Sequence, residues 1–252
     1  MTNRLRIYCI LTLICLAASC SRVPKHILSE RKMRVVLYDM LLAEAMVETM
    51  PGSFPTSDER LRVYDAVFTK HRITQAEYDS SLVWYGKNMD LYMAIYILVQ
   101  KDINAALTAM GDIKSNPLSG DVSDSDSIDI WIYKRSDVFT PNRVFNALLF
   151  DIVPQNPFTP GSNYEFRLSV WGIPPVLKHK PKIHLSVVQM DTIISVNKEI
   201  VGDGYYEAVV QTVGNKDVMR VYGYVLMNEG DDFYHRIYLN DIRLMKIKAT
   251  SP

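Results

Sequence analysis

The spacing of apolar residues changes once along this chain, from a helical period to a period of two, and that change limits its possible folds. From Ser29 to about residue 110 the pattern is helical. In RKMRVVLYDMLLAEAMVETM, Val36, Met40, Ala43, Val47 and Met50 recur every three or four positions, with Ser29 placed as an N-cap. Pro51-Gly52 ends that helix. Thr56-x-x-Glu59 and Thr74-x-x-Glu77 have capping-box spacing ahead of LRVYDAVFTKH and YDSSLVWYGKN. A fourth helix, over 89–110, puts Leu91, Ile95, Leu98, Ile103 and Leu107 along one side. Four helices with short joints predict a small bundle over 29–110.

Residues 111–127, GDIKSNPLSGDVSDSDS, lack periodic apolar signal and read as a linker. Beyond them, over 128–249, the period is two. YEFRLSVW sets Tyr164, Phe166, Leu168 and Val170 against Glu165, Arg167 and Ser169, and KIHLSVV alternates in the same way. With SIDIWIY, FNALLFDI, GYYEAVVQTV, VMRVYGYVLM, HRIYLND and IRLMKIK this makes about eight strands, with turns at Asp203-Gly204 and Gly214-Asn215. The expected fold class is α+β in two segregated domains: a helical bundle, then an antiparallel, jelly-roll-like β-sandwich.

The front end supplies an address. Arg4 and Arg6 precede the twelve-residue apolar run IYCILTLICLAA, and Ala17, Ala18 and Ser19 lead into Cys20. This is the layout of a signal peptide over 1–19, since a membrane span needs about 20 apolar residues. A cysteine directly after small residues resembles a bacterial lipobox, which implies acylation at Cys20 and a lipidated tether over 20–28. All three cysteines (Cys9, Cys15 and Cys20) lie in this stretch, so the expected mature chain has no thiol pair to form a disulfide. Residues 21–28 would give a leash of at most ~28 Å at ~3.5 Å per residue.

Two further resemblances follow from quoted residues. Pro24-x-x-Ile27-Leu28-Ser29, Lys32-Met33, the LAEA run and the Lys70–Leu82 stretch resemble an uncharacterised helical domain of Bacteroidota lipoproteins, over residues 23–105. That domain brings no activity with it. GSNYEFRLSVWG and IYLNDIRLMKI resemble jelly-roll modules of the galactose-binding or carbohydrate-binding type. The likeness there is of pattern, so it implies the fold rather than a sugar.

Catalytic signatures are missing. There is no GxSxG, HExxH, P-loop or CxxC. Ser29-x-x-Lys32 matches the Ser-x-x-Lys of penicillin-binding enzymes, but it recurs at Ser195–Lys198, no KTG follows, and Ser29 serves as a cap. His26, His71, His179, His184 and His235 show no i, i+4 metal spacing, and His184 reads as part of a solvated face. Asp39 and Glu44 fall in the apolar arc of the first helix but point about 140° apart. Pairing with Lys70, His71 or Arg72 accounts for them. Two acidic clusters, Asp121/Asp124/Asp126/Asp129 and Asn228–Asp232, lack the complete calcium-ligand pattern and read as solvated loops. No metal and no cofactor is expected.

What remains is binding. Trp131, Trp171, Tyr205, Tyr206, Tyr222 and Tyr224 are rings that could stack on a sugar, although alternation sends one of each adjacent pair inward. The loop GIPPVLKHKP is stiffened by proline and carries Lys178, His179 and Lys180. Trp171, Lys178, His179 and Lys180 are therefore the candidate ligand residues. Losing Arg4 and Arg6 leaves 26 basic against 28 acidic residues, a formal charge of −2 and no basic footprint for nucleic acid. The expectation is a non-enzymatic lipoprotein on the periplasmic face of the outer membrane, anchored at Cys20, that binds or scaffolds an envelope protein partner. The alternatives are a glycan- or peptidoglycan-binding jelly roll, and a hydrolase built around Asp231, His235 and Asp241.

Overall fold

The structure is a computed structural model that describes residues 23–111, 127–141, 143–227 and 234–248. The signal segment with Cys9, Cys15 and Cys20 lies outside the described residues. So do most of the linker, Asp121, Asp124, Asp126 and Asn228–Asp232.

Four helices come first: α1 (Glu30–Thr49), α2 (Ser57–His71), α3 (Gln75–Gly86) and α4 (Met89–Ala109). Their starts follow from local chemistry. Ser29 accepts from the Lys32 N–H. Thr56 and Thr74 each complete a capping box, with the backbone N–H of the threonine donating to Glu59 at 2.9 Å and to Glu77 at 2.7 Å. Helix α2 ends at Arg72, held in the left-handed region at φ 51°. Met33, Val36, Leu37, Met40, Ala43 and Val47 are the buried stripe of α1, which packs against α2 and α4. Asp39 is paired as expected, 2.7 Å from Lys70 Nζ and 2.5 Å from His71 Nε2. Burial alone would raise its pKa, but hydrogen bonds from Lys70 and His71 hold it below the ordinary carboxylate value. Glu44, expected in the apolar arc, is exposed instead.

Residues 23–28 are not a free leash. Val23, Ile27 and Leu28 are buried in the helical core. Both backbone polar groups of Leu28 are bound to α3: its N–H donates to Ser81 Oγ at 2.9 Å, and its carbonyl accepts from Tyr85 Oη at 2.9 Å. Ser81 and Tyr85 are themselves 0% exposed, so neither bond competes with water.

The second half is a sandwich of two antiparallel sheets. Its strands are β1 (Ser127–Asp129), β2 (Asp137–Phe139), β3 (Asn146–Ile152), β4 (Ser162–Trp171), β5 (Lys182–Gln189), β6 (Thr192–Glu199), β7 (Gly204–Gln211), β8 (Val218–Met227) and β9 (Ile237–Lys248). One sheet runs β1–β9–β4–β7, with β2 also on β9, and the other runs β3–β8–β5–β6. HRIYLND and IRLMKIK prove to be one strand, β9, bent where the register slips between Asn240 and Arg243; Asp241 sits there at φ 52°. The period-two residues of β4, namely Tyr164, Phe166, Leu168 and Val170, are all 0% exposed. Trp131, Phe150 and Phe166 meet with ring centroids 4.8–5.6 Å apart.

The two halves are segregated in sequence but not in space. Ala147 and Leu226 of the four-stranded sheet are buried with the helices, and Phe145, Leu149, Tyr222 and Tyr224 pack onto the same cluster. These residues point away from the sandwich interior. Strand β8 is therefore covered on both faces, by the opposite sheet and by the bundle.

Candidate functional site

Two surfaces stand out among the described residues: the outer face of the five-stranded sheet, and a groove where the bundle meets the four-stranded sheet.

On the outer face, alternation and register fix cross-strand rows. Trp171 of β4 stands opposite Tyr238 of β9. One row in, Ser169 lies between Asn240 and Tyr205. The next holds Arg243, Arg167 and Glu207. Trp171 is 55% exposed, Tyr205 62% and Tyr238 40%, so three rings border the small side chain of Ser169. Arg167 bridges Glu165 and Glu207, the latter at 2.8 Å, which fixes the guanidinium one row along from Tyr205.

The predicted residues divide unevenly. Trp171 sits at the end of β4, where the chain leaves for the other sheet. Lys178, His179 and Lys180 are exposed on the loop that makes the crossing, held down by buried Ile173 and Leu177. The loop begins at Gly172, whose φ is +95° and where a Cβ would fall 2.2 Å from the Arg236 carbonyl oxygen. Of the six rings considered, only Trp171 and Tyr205 are exposed. Trp131 is core, Tyr206 is buried with its hydroxyl on the 201–202 backbone, and Tyr222 and Tyr224 face the helices. Tyr238 was not among them, because IYL reads equally well with its tyrosine turned inward.

The groove, of about 840 Å³, lies between the α3–α4 joint and strands β5, β6 and β8. Next to its lining residues Tyr224 and Asn197 runs a polar chain that sequence reasoning missed. His184, taken as solvated, stacks on Tyr224 with centroids 4.9 Å apart and 17° between planes. Its Nδ1 is 2.7 Å from Asn197 Oδ1, which can only accept, so Nδ1 carries the proton. Its Nε2 is 2.7 Å from Ser186 Oγ, which lies 2.6 Å from Ser195 Oγ. The spacing of His184, Ser186, Ser195 and Asn197 at alternate positions in adjacent runs was the signal available. The Ser195–Lys198 pattern forms no Ser–Lys pair, since Lys198 Nζ donates to the Glu207 carbonyl.

The hydrolase residues do not gather among the described residues. Asp231 lies outside them, His235 is exposed, and Asp241 occupies the β9 bend. Asp129 accepts from the Trp131 and Leu244 N–H groups and pairs with Arg135, a structural role. No group of three or more His, Cys, Asp or Glu able to hold a metal occurs among the described residues, and no described helix is long and apolar enough to cross a membrane.

Two protein families match this chain, each over one part of it. Residues 24–109 match a domain of unknown function, DUF4296. Residues 128–248 match a second one, DUF8480. The boundary between the two falls in the predicted linker. No curated protein matches. Among solved structures, a cyclase from Fischerella sp. in its apo form is 9% identical over 40% of this chain, with a TM-score of 0.26. The match spans 55% of that cyclase's length. A CBM4 structure is 13% identical over 51% of this chain and 83% of its own, at a TM-score of 0.29. TmCBM61, solved with β-1,4-galactotriose, is 17% identical over 52% of this chain and 78% of its own, at 0.24. None of these likenesses bears on what this chain binds.

Proposed function

We propose that this protein is a non-catalytic binding protein of the cell envelope, anchored through Cys20, whose five-stranded sheet presents its outer face to a glycan. One observation carries the reading: Trp171, Tyr205 and Tyr238 are exposed together on neighbouring strands. Folding gains nothing from leaving three large rings in water, and such rings with polar groups between them suit the apolar faces and hydroxyl edges of sugars. Arg167 and Asn240 supply the donors, and Glu207 and Ser169 the acceptors.

Affinity electrophoresis through gels containing soluble polysaccharides tests this. The wild-type protein is expected to be retarded by at least one of them, and Trp171→Ala and Tyr238→Ala to run freely with unchanged circular dichroism. Equal mobility of all three proteins in every gel rejects the reading.

A second reading, a scaffold for an envelope protein, draws on α1. Val35, Leu42, Met46 and Met50 are 41–52% exposed and recur at helical spacing on one side of it. Crosslinking from Met46 in native membranes is expected to yield one defined adduct, lost in Leu42→Lys, if that reading is right.

A further inference from the structure

We propose that the groove between the helical bundle and the four-stranded sheet is a second binding site, for an acidic saccharide whose carboxylate is held by Lys87 and Lys182. The proposal is independent of the reading for the five-stranded sheet.

A seam between two packed modules normally closes with apolar side chains. Nearby it does: Tyr92 and Phe145 meet with centroids 4.9 Å apart, and Gly86 admits the Phe145 ring to 3.0 Å from where its Cβ would be. At the α3–α4 joint the seam stays open instead, with a volume in the range of small-molecule sites, roughly 300–1,000 Å³. Polar side chains line both banks, Lys87, Asn88 and Asp90 from the helices and Lys182 and Asn197 from the strands, among apolar ones such as Leu91 and Leu226.

Their hydrogen-bonding capacity is unspent. Among the described residues, Lys87 and Asp90 have no ion-pair partner, and Lys182 approaches only Glu199, at 3.7 Å, beyond hydrogen-bond distance. Asn88 uses its amide nitrogen on the Trp84 carbonyl, which leaves its oxygen to accept. Asn197 uses its oxygen on His184, which leaves its amide nitrogen to donate.

One wall is set in advance. Tyr224 is backed by the parallel His184 ring, and His184 is fixed at both nitrogens, so this wall does not need ordering when a ligand arrives. Burial, with the Asp90 charge nearby, raises the Tyr224 pKa and keeps its hydroxyl protonated as a donor.

The chemistry selects the ligand. Asn88, Asp90 and Asn197 suit the hydroxyls of a pyranose, and two ammonium groups suit a carboxylate. A nucleic-acid chain is disfavoured, because only two cations line the space, too few for its run of phosphates.

The test is titration calorimetry of the full-length protein with trigalacturonic acid and with neutral galactotriose. Trigalacturonic acid is expected to bind at least tenfold more tightly than galactotriose. The Lys87→Glu/Lys182→Glu variant is expected to lose at least tenfold. Should the double variant fold poorly, Asn197→Ala, on an exposed side chain, is expected to weaken binding several-fold. No binding of trigalacturonic acid, equal affinity for the neutral sugar, or wild-type affinity in the groove variants overturns the proposal.

Discussion

Tyr92 of helix α4 meets Phe145, just ahead of strand β3, edge to ring, with centroids 4.9 Å apart and 66° between planes. The contact joins the helical half to the β half, and the apolar surface on both sides of it is buried in one shared cluster. The two halves should therefore unfold together. Phe145→Ala is expected to cost about 2–3 kcal/mol, somewhat below a fully buried Phe→Ala change. It is also expected to separate one calorimetric transition into two. A single unshifted transition in the variant would show that the halves are not coupled through this contact.

Asp151 sits on the same seam. Its side chain is 4% exposed, and Arg220 Nε approaches to 3.1 Å without hydrogen-bond geometry. Burial pushes its pKa up to about 6 despite the arginine. The folded state thus holds this proton more tightly than the unfolded chain does. Its contribution to stability is complete below about pH 4 and disappears as the pH rises through about 6. Two pKa units correspond to about 3 kcal/mol. Urea midpoints at pH 4, 5, 6 and 7 should show wild type losing about that much relative to Asp151→Asn. A gap that stays constant with pH contradicts the assignment.

Leu28 is bound to α3 through both of its backbone groups. Ser81→Ala leaves a buried N–H unpaired and is expected to cost about 1–3 kcal/mol, whereas Tyr85→Phe, which leaves only a carbonyl, is expected to cost about 1 kcal/mol. Hydrogen exchange at the Leu28 amide reports the change directly. It should accelerate in Ser81→Ala and stay slow in wild type.

Gly172→Ala has two faults at once, a strained positive φ and a Cβ 2.2 Å from the Arg236 carbonyl oxygen. The backbone cannot move aside as a flexible side chain would. A loss of at least about 2 kcal/mol is expected, together with increased proteolysis of the 172–181 loop. An unchanged melting temperature would mean the β4–β9 edge is looser than the structure shows.

How much of this was legible depends on how many surfaces each residue touches. The helix starts at Thr56 and Thr74 were readable because a capping box is closed within four residues. The strand faces of β4 and β5 were readable because alternation against one core is a local pattern. Strand β6 was missed because its exposed edge carries little contrast: Ile193 is 60% exposed while Ile194 packs inward. The groove was missed for a different reason. His184, Asn197 and Tyr224 alternate outward from the sandwich, which predicts solvent unless something else covers them. The near-continuous apolar and aromatic run VMRVYGYVLM was the available warning, since a strand buried on both faces loses its alternation.

The six residues before α1 carry the widest consequence. With Val23 already docked, only Ser21 and Arg22 separate Cys20 from the folded body, and three virtual bonds of ~3.5 Å span ~10 Å where a free segment would have allowed ~28 Å. An acyl group at Cys20 would then seat the bundle on the headgroups like a limpet. Whatever it engages would have to be within arm's length of the bilayer.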